Sequence, residues 1–176
     1  SINTILTSPD GVTWTARDSG VSASLQGVAW GDGQFVAVGE FDTILTSPDG
    51  VTWTIRESKV GVPGSSTLAN VAWGEGQFVV VGYSGTILTS PDGIVWTRRE
   101  TGTFASFADV AWGNGQFVVV VFYDDESFLG WVLTSADGVT WTRRDLGIPK
   151  VNFSSVTWGN NQFMVAGSVG VILNSP

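Results

Sequence analysis

Hydrophobic and polar residues alternate in short runs along the whole chain, and each run is stopped by glycine or by a Pro-Asp-Gly turn. Leu25 to Trp30 reads as a strand, Gly31-Asp32-Gly33 as a tight turn, and Gln34 to Val38 as the returning arm of a hairpin. Thr43 to Ser47 reads as a third strand, Pro48-Asp49-Gly50 reverses the chain, and Val51 to Arg56 reads as a fourth. In that fourth strand Val51 and Trp53 fall on one face, Thr52 and Thr54 on the other. No stretch holds a helical apolar period for long, so no substantial helix is expected.

This four-strand pattern recurs. Thr-Ser-Pro-Asp-Gly-Val-Thr-Trp-Thr starts at Thr7 and Thr46, and near copies start at Thr89 and Thr134, giving offsets of 39, 43 and 45 residues. A second motif, Val-Ala-Trp-Gly followed by Gly-Gln-Phe-Val, places tryptophan at 30, 73, 112 and 158, the last copy being looser. A fifth, truncated copy of the first motif runs from Val171 to Pro176. Four antiparallel strands repeated every forty or so residues predict an all-β chain of propeller blades, about four blade-equivalents in one domain. The expected divisions are an N-terminal half-blade (1–17), repeats over about 18–57, 58–100 and 101–145, and a partial blade over 146–176.

The Ser-Pro-Asp-Gly-Val-Thr-Trp stretch resembles the Asp-box, or BNR, repeat of sialidase-type propellers, whose pattern is Ser-x-Asp-x-Gly-x-Thr-Trp. It is one residue shorter here between Asp and Thr. The resemblance implies that the motif forms the turn between third and fourth strands, on the side away from the active face. Asp10, Asp49, Asp92 and Asp137 are then turn-capping residues whose carboxylates accept backbone N–H groups. Trp14, Trp53, Trp96 and Trp141 are expected to be packing residues, as are Trp30, Trp73, Trp112 and Trp158. Sialidases hold a substrate carboxylate with three arginines and use a Tyr nucleophile assisted by Glu. Arg17, Arg56, Arg99 and Arg144 occupy one repeat-equivalent position, so they spread around the blades instead of converging, as solvated residues or in pairs with acids.

Composition narrows the chemistry. The 176 residues carry 23 glycines and nine tryptophans, which suits tight turns and the space between packed sheets. There is no histidine and no cysteine, which removes the commonest general base, thiolate metal sites and disulfides. The net charge of −8 and the lack of clustered Lys and Arg argue against a nucleic-acid groove. Apolar runs such as Phe117 to Phe122 are too short to span a bilayer as a helix. No cofactor, catalytic residue or metal site is expected. The first residues do not read as a signal peptide, and a chain that starts and stops within its own repeat reads as a processed or trimmed piece. The low charge and the absence of thiols lean towards an extracellular or cell-surface setting.

Segments that match between repeats are scaffold, whereas those that differ are free to specialise. The differing segments are the connections between second and third strands and the links between blades, which the propeller analogy places on one face. The connections are 39–42, 82–85, 121–130 and 167–170; the links are 18–24, 57–67, 100–106 and 145–152. Candidate ligand-binding residues there are Phe41, Asp42, Tyr83, Tyr123, Asp124, Asp125, Glu126 and Phe128. Aromatics beside carboxylates suit a sugar ring and its hydroxyls. The plainer reading packs Phe122, Phe128 and Trp131 under the longest loop and leaves the acids solvated at its tip.

The N-terminal segment supplies third and fourth strands, and the C-terminal segment supplies first and second strands. Their union as a composite blade would close a ring, but Val171 to Pro176 competes with Thr4 to Ser8 for one slot. Three arrangements accommodate this: a four-bladed ring with one displaced end, a homodimer closing the propeller head to tail, or part of a larger ring. The functional reading is a non-enzymatic propeller, lectin-like or adhesive, taking a glycan or protein ligand through its variable loops. The alternative is a structural or protein-interaction propeller, or a piece of a larger natural or engineered one. A sialidase-like glycoside hydrolase ranks last.

Overall fold

A computed structural model describes residues 4–56, 66–124, 129–149 and 151–175. The chain is built from antiparallel meanders, each strand pairing with the next. A two-stranded hairpin, β1 (Thr4–Thr7) and β2 (Thr15–Asp18), comes first. The first blade is β3 (Leu25–Gly31), β4 (Gln34–Gly39), β5 (Ile44–Ser47) and β6 (Thr54–Arg56). The second is β7 (Leu68–Gly74), β8 (Gln77–Gly82), β9 (Ile87–Ser90) and β10 (Thr97–Arg99). The third is β11 (Ser106–Gly113), β12 (Gln116–Tyr123), β13 (Leu129–Ser135) and β14 (Thr142–Pro149). A three-stranded fourth blade follows: β15 (Phe153–Gly159), β16 (Gln162–Gly167) and β17 (Ile172–Ser175). One 3-10 turn, Ser168–Gly170, is the only helical element among the described residues.

The core lies between blades. The second strand of each complete blade is covered on both faces, which is why it reads as an unbroken apolar run. Val79 and Val81 of β8 pack towards Phe107, Phe117 and Val119 of the third blade, while Val80 faces Val36 and Val38 of the first. Val118 and Val120 of β12 pack towards Phe153, Val156 and Phe163 of the fourth. Each fully buried valine contributes about 1.5–3 kcal/mol, so the interfaces hold the blades in order.

Small residues let the inner strands approach. A Cβ on Gly31 would fall within the indole of Trp73; Gly74 stands in the same relation to Trp112, and Gly113 to Trp158. A polar chain crosses the same strands. The buried Asp109 carboxylate accepts from Asn70 Nδ2 of the second blade, and from Ser155 Oγ at 3.0 Å and the Val156 N–H at 2.8 Å of the fourth.

Several expectations change. The fourth strand begins at Thr54, not Val51, because Asp49 Oδ1 accepts the Val51 and Thr52 N–H groups and keeps both residues in the turn. The segment 145–152 is not a link over most of its length: β14 continues to Pro149, since Leu129 and Trp131 extend β13 and give it a pairing edge. A composite blade does not form within one chain. β16 pairs with β17 in the slot open to β1, and β1 pairs with β2 alone. The blades therefore form an open arc. Trp14 and Trp30 are 57% and 53% exposed, because the inner strands of a preceding blade, which would cover Trp30, are not part of this arc.

Candidate functional site

Two faces of the arc are built from different turns. On one, each Asp turn is a closed network. Asp10 Oδ1 accepts the Val12 and Thr13 N–H groups at 2.8 Å and the Ser8 hydroxyl at 2.9 Å, while Ser8 Oγ accepts the Gly11 N–H. Trp14 Nε1 donates to Gly11 O. Asp49, Asp92 and Asp137 repeat the Asp contacts, with Trp53, Trp96 and Trp141 in the place of Trp14. These backbone N–H donors hold all four carboxyls below the ordinary range, Asp10 and Asp137 at about 2. Gln34 Nε2 reaches Asp92 O, and Gln77 Nε2 reaches Asp137 O, both at 2.7 Å, which ties the first hairpin turn of one blade to the Asp turn of the next. One carboxylate oxygen of each Asp on this face is thus committed to its own turn.

The repeated arginines are bound by the sheet itself. Arg17, Arg56, Arg99 and Arg144 on the outermost strands each donate Nε–H to a threonine hydroxyl on the adjacent strand, at 2.9–3.3 Å. No carboxylate takes that Nε–H, and the four do not converge.

The variable segments gather on the opposite face, and backbone hydrogen bonds show it directly. The Glu40 and Tyr83 N–H groups donate to Ser24 O and Thr67 O of the links that enter their own blades. The Asp42 and Gly85 N–H groups donate to Ser66 O and Ala105 O of the links that enter the next blades. The connections 39–42 and 82–85 thus each bridge their own blade and the next.

Phe41 and Asp42 both adopt φ of 56°, where the second blade has Ser84 and Gly85. A bulky residue with positive φ is strained, so the turn holds Phe41 outward at a conformational cost; it is 66% exposed. Asp42 lies half-buried with Oδ1 lacking a hydrogen-bond partner, and burial raises its pKa. Tyr83 and Tyr123 are 42% and 50% exposed.

Asp124 departs from expectation. It is buried, and its Oδ2 accepts the Trp131 indole N–H at 2.8 Å, so it is not a solvated acid at a loop tip. Trp131 is itself 2% exposed, and the Arg143 guanidinium stands 4.5 Å from its ring centroid. Asp125, Glu126 and Phe128 lie outside the described residues, as does most of the link 57–67. Phe104, 85% exposed in the link before the third blade, escaped the residue-level reading. Its signal was present: it is an aromatic in a segment that differs between repeats. Among the described residues no cluster of acids is placed to hold a metal, and no helix is long and apolar enough to cross a membrane.

No family model matches the sequence, and no curated protein matches it. Solved structures match it by fold. The chain is similar to YCF48 bound to D1 peptide, with 19% identity and a TM-score of 0.71 over 99% of this chain and 58% of that one. It is similar to virginiamycin B lyase from Staphylococcus aureus, with 13% identity and a TM-score of 0.78 over 99% of this chain and 63% of the lyase. The computationally designed Ika4 protein gives 12% identity and a TM-score of 0.64, over 88% of this chain and 92% of Ika4. At these identities the likeness shows a β-propeller. The chain spans about three fifths of the YCF48 and lyase chains.

Proposed function

We propose that this chain is a non-enzymatic propeller whose loop face binds a protein segment. The observation that carries the reading is the series of exposed aromatics, Phe41, Tyr83, Phe104 and Tyr123, at the loop-side ends of successive blades. Rigid aromatic faces spread along a surface suit an extended partner with several anchor points. A sugar or substrate needs a concave pocket. At the third blade's loop, where the sequence places aromatics beside acids, the cavity beside Val121, Phe122 and Trp131 holds only about 10 Å³, and its carboxylate, Asp124, is already engaged. The sequence offers neither histidine nor cysteine for catalysis. That a structure of similar fold, YCF48, is bound to a peptide supports the same reading.

Peptide display against the whole chain tests it. The expected result is enrichment of peptides that bind the chain but not a Phe41→Ser, Tyr83→Ser, Phe104→Ser variant of unchanged circular dichroism. Hits on a glycan array, lost in the same variant, would replace the reading with a lectin. Peptides that bind both proteins equally would remove the loop face from the account.

A further inference from the structure

The arc ends in two unlike surfaces, and we infer that they are complementary: the fourth blade of one copy docks on the first blade of a second copy, head to tail. The inference concerns assembly and goes beyond the loop-face reading.

Each internal interface uses the same parts. The inner-strand tryptophan of one blade covers the glycine that ends the inner strand of the blade before it, at Trp73 on Gly31, Trp112 on Gly74 and Trp158 on Gly113. One tryptophan and one glycine are left over. Trp30 has no glycine beneath it and is half exposed, while a Cβ on Gly159 would meet nothing within 4 Å. Trp30 of one copy fits Gly159 of another.

The hairpin β1–β2 gives the register. Thr7 Cγ2 would stand 3.4 Å from a Cβ on Gly50, just as Thr46 Cγ2 would from one on Gly93. So β1–β2 already lies where the outer strands of a preceding blade belong. At Gly93 the neighbours also include Val36 and Gln34 of the inner strands; at Gly50 that place is open. It forms a groove of about 340 Å³, lined by Leu6, Leu25, Val28, Phe35 and Trp53 among others. Gln162 and Met164 are the repeat equivalents of Gln34 and Val36. A second copy's β15–β16 would fill the groove, bring Gln162 to Asp49 O, and pair with β1 as β4 pairs with β5, setting Met164 opposite Thr7.

β17 is the strand that must leave. Three of its four residues, Ile172 among them, are exposed, and its exchange for β1 adds β2 as the missing fourth strand. Within one chain the ends stay apart, since β16 holds β17 and β1 holds only β2. Two reciprocal joints close three complete blades from each copy and two composite blades into one ring, within the usual limit of about eight blades.

Light scattering on the 176-residue chain is expected to give twice the mass of one chain. Gly159→Leu, which no neighbour in its own chain opposes, is expected to give single chains with unchanged circular dichroism. In this cysteine-free chain, Thr7→Cys with Met164→Cys treated with diamide is expected to yield a covalent dimer on a denaturing gel. A single-chain mass for the unaltered protein, an open ladder of oligomers, a dimer that persists in Gly159→Leu, or a disulfide joining the two introduced cysteines within one chain would each overturn the proposal.

Discussion

Trp112 packs onto Gly74 of the preceding blade so closely that a methyl group there would overlap the indole. The glycine is not needed for its backbone angle, since its φ is not positive. Its role is to leave room. Gly74→Ala is therefore expected to lower stability by about 1–3 kcal/mol, the range for forcing a methyl into a packed interface. Urea unfolding checks this, and an unchanged midpoint would show that the blades part without strain.

Asp109 bridges three blades with one carboxylate. Asn70, Ser155 and Val156 all donate to it, and its own neighbour Val110 donates its N–H at 2.8 Å. Asp109→Ala strands several buried donors, each worth about 1–3 kcal/mol, so a loss of roughly 3 kcal/mol is expected in thermal or urea unfolding. Asp109→Asn keeps one acceptor oxygen and is expected to cost less. Equal losses in the two variants would mean that packing, not hydrogen bonding, sets the value of this position.

The Asp turns predict an acid response. Asp10 and Asp137 titrate at about 2 in the fold, and Asp49 and Asp92 are lowered as well, by backbone N–H groups that bind the ionised form. Their stabilisation is fully present above the unfolded carboxylate pKa of about 4 and is lost as the pH falls towards 2. Asp42 acts in the opposite sense: burial raises its pKa, so its charge costs stability as the pH rises through that value. Melting curves from pH 7 to pH 2 are expected to show a steep fall below pH 4 that is shallower in an Asp10→Asn, Asp137→Asn variant. A parallel fall in both proteins would contradict the assignment.

Asp124 and Trp131 form a buried polar pair under the third blade's loop. Asp124→Ala leaves the indole N–H without its acceptor and is expected to destabilise by about 1–3 kcal/mol, while Asp124→Asn is milder. Peptide binding is expected to be much the same in both variants once they are folded. Lost affinity at unchanged stability would return Asp124 to the binding surface.

The strands, the turns and the blade period were legible because each follows from local chemistry. Pro-Asp-Gly sets a turn, Gln-Phe-Val-Val-Val sets a strand covered on both faces, and repetition exposes both. The strand boundary at Thr54 was not legible, since it depends on which N–H groups the Asp49 side chain captures. Nor was the burial of Asp124, because its acidic neighbours suggested a solvated tip while its indole donor lies on the next strand. Asp109 stood in plain sight, equivalent by repeat to Gly27, Asn70 and Ser155. Its meaning depends on residues in other blades, which a reading one repeat at a time does not bring together. The loop face was located by its variation between repeats, and Phe104 belongs to it by the same logic.

Hydrogen exchange of the whole chain, with and without a display-selected peptide, tests the binding face most directly. The account predicts slowed exchange in residues 39–43, 82–86, 101–105 and 121–124, with the Asp turns unchanged. Protection confined to the Asp turns, or to the groove between β1 and the first blade, would contradict it.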